Sequence, residues 1–349
     1  MIKGSYKKYT LHFKNPSGTS RGVLTTKETY FIYLCKDGRE GIGECALFRG
    51  LSADDVPDYE GKLAWACAHI HLGKEQLLKS LQAYPSIQFG LEQAFLSLEA
   101  AFGHNQNRFE LFETDFVCKK APIAINGLIW MGDVSFMEDQ IEEKLEQGFT
   151  TLKLKIGAID FKKECKLLAS VRKRFDSKHI TIRVDANGAF RPSNALEKLK
   201  QLAEFDLHSI EQPIRQGQIK EMAELCSKTP LPIALDEELI GVFENSEKEK
   251  LLADIQPQYL VLKPSLVGGI GGSETWIQMA DKNNIGWWIT SALESNIGLN
   301  AIAQWTSSLT LAMPQGLGTG GLFTNNIQAP LSIVDGALYY DNAGKWGLV

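Results

Sequence analysis

Five charged residues stand at the ends of five short apolar runs, and they recur at nearly even spacing. They are Lys155, Asp185, Glu211, Asp236 and Lys263, separated by 30, 26, 25 and 27 residues. The runs, such as Thr151-Leu152-Lys153-Leu154-Lys155 and Ile180–Asp185, alternate with amphipathic stretches such as Phe161–Phe175 and Pro192–Phe205. One strand, one helix and their loops use up about that much chain, so each interval reads as one βα unit. Further strands are expected at Ile123–Trp130, Leu207–Glu211, Pro232–Asp236, Tyr259–Lys263 and Gly286–Thr290, with helices at Asp133–Gln147 and Gly271–Asn283. Consecutive βα units with short loops require a parallel sheet. The expected form is a (β/α)7β TIM-like barrel over residues 121–314. An open doubly wound sheet is the alternative, but no G-x-G-x-x-G follows any of these strands.

In a barrel of this kind the C-terminal strand ends form the mouth where chemistry is done. A charge at the end of a buried strand is costly unless it is paired or binds a metal. Asp185, Glu211 and Asp236 fall on adjacent strands and make an all-oxygen donor set suited to Mg²⁺, with Mn²⁺ as an alternative. The absence of His and Cys at these positions argues against zinc. Lys153 and Lys155 are two apart on a strand and so share a face. They flank the carboxylates on one side and Lys263 flanks them on the other. A proton beside a carboxylate is barely acidic, so its removal needs a cation on the carboxylate and a neutral amine as base. Burial and a neighbouring ammonium both depress a lysine pKa, which suits Lys155 beside Lys153. Each residue alone has a plainer reading. A strand-end acid usually caps a helix or pairs with a lysine, Lys-x-Lys arises by chance, and Asn187 can cap a turn. Glu237 and Glu238 read as supporting or solvated charges. The joint periodicity favours the functional reading.

The first 120 residues have a different texture. Strand, turn and strand are expected up to about residue 48, with Asn15–Gly22 and Lys36-Asp37-Gly38 as turns. From Pro57 to Phe102 the pattern is helical, and residues 91, 94, 95, 98, 101 and 102 form one apolar face. This segment is expected to be an α+β capping domain, completed by the glycine-rich tail at about 315–349 with β pieces at Asn326–Val334 and Ala337–Tyr340. A net charge of -5 argues against a nucleic-acid partner. No apolar run approaches the ~20 residues that span a bilayer, and residues 1–6 carry no leader pattern. Six scattered cysteines without C-x-x-C spacing suggest free thiols in the cytoplasm, and the six histidines mark no site. The expected partner is a small carboxylate substrate; oligomeric state is not encoded legibly.

At the same residues the chain resembles the enolase superfamily, in its muconate-lactonising subgroup. The matching pieces are Lys153-Leu154-Lys155, Asp185-Ala186-Asn187, Ile210-Glu211-Gln212-Pro213, Ala234-Leu235-Asp236-Glu237 and Leu262-Lys263-Pro264, together with Gly41-Ile42-Gly43-Glu44 and Phe89-Gly90-Leu91-Glu92. That superfamily pairs a Lys or His base with Mg²⁺, so the resemblance implies the same chemistry here. Within the subgroup, Leu24–Lys27, Glu44–Ser52, Ser291–Gly298 and Gly316–Phe323 are most similar to the branch that dehydrates a succinyl-bearing hydroxycyclohexadiene carboxylate to an aromatic acid in menaquinone biosynthesis. The resemblance implies Lys155 as base, Lys153 and Lys263 as its catalytic partners, and Mg²⁺ on Asp185, Glu211 and Asp236 holding an enediolate. It implies substrate contacts from Ser291, Ser295, Asn187, Gly318 and Lys27. The last barrel loop has no Asp-x-Asp, which disfavours a dipeptide epimerase. An N-acylamino acid racemase using both Lys155 and Lys263, or a muconate cycloisomerase, stays open. Other classes are a Schiff-base barrel without metal, a phosphate-binding barrel suggested by Val267–Ser273, and a binding protein on an inactive scaffold.

Overall fold

The computed structural model describes residues 1–19 and 22–348. Its first unit is an antiparallel sheet of β1 (Lys3–Thr19), β2 (Gly22–Lys36) and β3 (Arg39–Cys45). The expected Asn15–Gly22 turn is mostly strand: β1 passes through it with a register shift between His12 and Ser17, and its Ser20-Arg21 tip lies outside the described residues. The second turn is as expected, since Asp37 and Gly38 both take positive φ, the conformation a two-residue hairpin needs.

Helices α1 (Tyr59–Ala68), α2 (Lys74–Ser80) and α3 (Pro85–Phe102) cover this sheet. Gly41-Ile42-Gly43 has a packing reason for its glycines. A methyl on Gly41 would overlap the Ala94 carbonyl and Leu98 amide, and one on Gly43 would overlap the Gly90 carbonyl. The strand and α3 therefore lie backbone against backbone. Leu91, Ala94, Phe95, Leu98 and Ala101 are buried as the periodicity predicts, but Phe102 is exposed and carries the Arg39 guanidinium over its ring.

After α4 (Asp115–Cys118) the predicted first barrel strand is split. β4 (Ile123–Ala124) pairs with β13 (Ala337–Tyr340), which pairs with β12 (Leu331–Val334). Only β5 (Gly127–Ile129) enters the large sheet. That sheet has seven parallel strands in sequence order: β5, β6 (Thr151–Lys155), β7 (Thr181–Asp185), β8 (Ser209–Glu211), β9 (Ile233–Leu235), β10 (Tyr259–Leu262) and β11 (Gly286–Ile289). Helices α5 (Val134–Glu146), α6 (Phe161–Arg174), α7 (Pro192–Ala203), α8 (Ile219–Lys228), α9 (Asn245–Ile255), α10 (Pro264–Val267), α11 (Gly269–Lys282) and α12 (Asn296–Thr306) fill the connections and follow β11. Asp133 and Asp160 cap α5 and α6 by accepting from the Phe136 and Lys163 amides. Beyond the two edge strands, Gln315 bridges Ile125 and Gly316 bridges Thr290, both in parallel sense.

Buried aliphatics from every strand, among them Leu152, Leu154, Ile182, Val184, Ile210 and Leu262, fill one continuous core with the inward faces of the helices. A smaller cluster of Leu11, Phe13, Leu293 and Phe323 joins the N-terminal hairpin to the loop after β11. All six cysteines are free, and among the described residues no helix is long and apolar enough to cross a membrane.

Candidate active site

The strand register aligns the charged rungs. Lys155 and Asp185 are Cα partners, and so are Asp185 and Glu211. Side-chain alternation puts Lys153 and Lys155 on one face of β6, aimed at the same acids. Lys155 Nζ lies 2.6 Å from Asp185, while Lys153 Nζ lies 2.9 Å from Asp185 and 2.5 Å from Glu211. From the other side Lys263 pairs with Asp236 and sits 3.9 Å from Glu211. All six predicted residues thus meet in one buried cluster.

The electrostatics divide the lysines. Burial and the neighbouring Lys153 lower the Lys155 pKa, with Asp185 opposing. Burial also acts against the Lys153 and Lys263 ammoniums, but their carboxylate neighbours outweigh it and raise both. Against its own burial, Asp185 is held well below the carboxylate range by Lys153 and Lys155. Asp236 is lowered mainly by Lys263. Glu211 is pushed well up, first by burial and then by the charge of Asp185. Of these three lysines, Lys155 alone has its pKa lowered.

Three buried acids on adjacent strands fit a hard divalent cation. Neither Glu211 oxygen has a hydrogen bond of good geometry, though Lys153 makes an ion pair with one of them. Buried carboxylate oxygens need cationic or hydrogen-bonding partners. Among the described residues no three acids already close into a coordination sphere, because lysine ammoniums lie against them. The donor set is right for the ion, and the lysines supply the positive charge here.

Around the acids, supporting contacts hold the geometry. Asn187, at φ +43°, accepts from Lys155 Nζ at 2.8 Å and donates to Glu237 at 2.9 Å. Gln212 donates to Glu238 and accepts from the Asp236 and Glu238 amides, so it ties the β8 loop to the β9 loop. The two acids after Asp236 are thus structural partners of Asn187 and Gln212.

The cavity above the cluster is lined by Lys153, Lys155, Asn187, Lys263, Ser291 and Gly318, under an apolar lid that includes Leu24, Phe48 and Trp130. Of the five expected substrate contacts, Asn187, Ser291 and Gly318 reach it. Lys27 and Ser295 do not line it; they are buried in a polar seam between the two units. There Glu44 on β3 accepts from Thr29 Oγ1 (2.9 Å), Ser295 Oγ (2.6 Å) and the amides of Ser295 and Gly298 (2.9 Å each). Next to it Glu294 accepts from Ser265 and Ser291, both at 2.5 Å, and Thr319 donates to Ser291 at 2.8 Å. Burial raises Glu294 and lowers Lys27, whose ammonium faces both glutamates. Leu293 is held at φ +64°, strained for a branched side chain, where it packs on Leu11 and Phe13. Sequence reasoning missed Glu294, Ser265 and Thr319. Glu294 and Thr319 fall within the Ser291–Gly298 and Gly316–Phe323 segments, while nothing in the sequence marks Ser265.

Comparison with known proteins places these features in context. Residues 137–344 match the enolase C-terminal domain-like family. The o-succinylbenzoate synthase of Desulfotalea psychrophila is 47% identical over 96% of this chain and 97% of its own. The crystal structure of MenC from Desulfotalea psychrophila superposes with a TM-score of 0.84 at 43% identity, covering 97% of this chain and 99% of that one. Muconate lactonizing enzyme from Pseudomonas fluorescens shares the fold, with a TM-score of 0.83 at 21% identity and coverage of 97% and 93%.

Proposed function

The chain belongs to the enolase C-terminal domain-like family, among the o-succinylbenzoate synthases, and from that premise we propose how its residues carry out the dehydration. The substrate is 2-succinyl-6-hydroxy-2,4-cyclohexadiene-1-carboxylate. Lys155 removes the proton beside the ring carboxylate, the electron pair passes onto that carboxylate, and its return forms the third ring double bond as the C–O bond to the hydroxyl breaks. The ring hydroxyl leaves from the same face, taking back the proton that Lys155 now carries. The products are 2-succinylbenzoate and water. Asp185, Glu211 and Asp236 hold Mg²⁺, which when bound neutralises charge developing on the substrate carboxylate. Lys263, paired with Asp236, supplies a cation from the opposite side. Lys153 fixes Asp185 and Glu211 and keeps its neighbour's pKa down.

The observation that carries this reading is the meeting of Lys155 with Asp185 and Asn187 on one side, and Lys263 with Asp236 on the other. We also read the Gln315 and Gly316 bridges as the eighth rung closing a (β/α)7β barrel, which carries the barrel expected over 121–314 on to Gly316. Residues 1–120, with the tail beyond that rung, then form the capping domain. Six free thiols suit the reducing cytoplasm. The test is conversion of the named substrate by purified protein with Mg²⁺. Chelation should abolish turnover, Mg²⁺ should restore it, and borohydride with substrate should trap no adduct.

A second reading, racemisation of N-acylamino acids, is favoured by one observation: Lys155 and Lys263 both line the cavity, and a racemase needs two bases. A side-by-side kinetic comparison on the two substrate types decides between them. The Gly316–Gly320 wall has no acid to hold a substrate amine, which disfavours a dipeptide epimerase.

A further inference from the structure

We propose that a second site, separate from the catalytic cavity, lies where helices α2 and α3 meet α9 and α11, and that it binds a small organic anion with one charged head group on an apolar body. The space there measures about 430 Å³. Small-molecule sites usually fall at roughly 300–1,000 Å³. It shares no lining residue with the cavity over Lys155.

Lys248 of α9 anchors the site. It is only 4% exposed and lines the cavity, yet its ammonium has no hydrogen bond and no ion pair among the described residues. The Trp276 ring, 5.3 Å away, attracts it weakly and does not replace a counter-charge. Burial alone lowers its pKa to about 8, with no carboxylate raising it. The active-site lysines are buried too, but each faces an acid. An unpaired buried cation is costly, and an anion in the cavity would supply the missing partner. Leu78, Phe243 and Val267 offer apolar surface for its body, while Gly268, Gly271 and Gly272 leave one wall free of side chains. Lys79, exposed at the rim and without an ion pair among the described residues, adds a second cation. The acid on the wall, Glu92, has its two oxygens taken by the Ile270 and Gly271 amides. Those amides are therefore spent, and the two ammoniums, not the start of α11, hold the ligand. The side-chain NH₂ groups of Gln82 and Gln88 are likewise spent, on Glu244 and the Leu78 carbonyl.

The test measures melting temperature of the Mg²⁺-loaded protein against rising phenyl phosphate, benzoate and the uncharged benzyl alcohol, since a ligand of the folded state raises it by mass action. At least one anion should stabilise wild type where benzyl alcohol does not, and the stronger of the two identifies the head group. Either anion can also reach Mg²⁺ in the catalytic cavity, so the variants decide. Lys248→Met keeps the apolar stem and removes the charge, and should weaken the apparent Kd of that anion by about tenfold. Lys79→Glu reverses an exposed charge, should weaken it by about threefold or more, and keeps the test available if Lys248→Met does not fold. Anion affinities equal in wild type and the folded variants overturn the site, because the anion then binds elsewhere. No stabilisation by either anion, or equal stabilisation by benzyl alcohol, overturns it as well.

Discussion

Lys155 Nζ lies 2.6 Å from Asp185 Oδ2, across a strand pair in which the two residues are direct register partners. One side chain is the proposed base and the other a proposed metal ligand, so the proton acceptor and the cation are placed by the same backbone ladder. The site therefore tolerates little slippage between β6 and β7. A one-residue shift would turn Lys155 away from the mouth altogether.

Metal affinity should depend on each of the three acids. Asp185→Asn or Glu211→Gln removes a charged oxygen ligand and is expected to weaken Mg²⁺ by at least about tenfold. Titration calorimetry checks this, and unchanged affinity in both variants would remove these residues from the metal site.

The pH profile should rise on its acid side as Lys155 loses its proton, because the base works only as the neutral amine. Burial and Lys153 both lower that pKa. Lys153→Met deletes the neighbouring charge, so the rising limb of kcat/KM should move to higher pH. A shift to lower pH would contradict the assignment.

The seam between the N-terminal antiparallel-sheet unit and the parallel-sheet unit should be strong. Glu44 accepts four hydrogen bonds, two of them from the backbone at the start of α12. Glu44→Ala leaves those donors buried without a partner, at a cost of roughly 2–4 kcal/mol. Urea unfolding measures it, and KM should rise with it because Ser295 adjoins Glu294, which holds the cavity residue Ser291.

A second contact between the units should respond to pH. Glu92 accepts from the Ile270 and Gly271 amides at the start of α11, and burial raises its carboxyl from 4.5 to about 7. A carboxyl raised on folding stabilises most below its unfolded value, and that contribution fades as pH climbs through the folded value. Between about pH 4.5 and 7, wild type should therefore lose stability relative to Glu92→Gln, with no further change above that window. Melting temperatures of both across pH 4 to 9 test this.

The ladder of charged strand ends was legible because a parallel sheet repeats its spacing in sequence, so Lys155, Asp185, Glu211, Asp236 and Lys263 could be matched rung to rung. The helices followed from their apolar period, as in Phe161–Phe175 and Pro192–Phe205. What escaped depends on contacts between distant segments. Glu44 and Ser295 are 251 residues apart, and nothing local tells either that the other is its partner. For the same reason the burial of Lys27 and Ser295 in the seam, away from the cavity lining, was not legible. The Ile123–Trp130 run looked like one strand, but β13 pairs with its first half. No pattern within the run could reveal a partner more than two hundred residues downstream.

The central claim is that Lys155 moves the proton while the three acids hold the metal, and Lys155→Ala separates those jobs. The decisive measurement is turnover of 2-succinyl-6-hydroxy-2,4-cyclohexadiene-1-carboxylate by the Mg²⁺-loaded variant, with Mg²⁺ affinity measured on the same sample. A loss of about 10³-fold or more in kcat with metal binding retained is expected. A variant that binds Mg²⁺ and still turns over within about tenfold of wild type would contradict it.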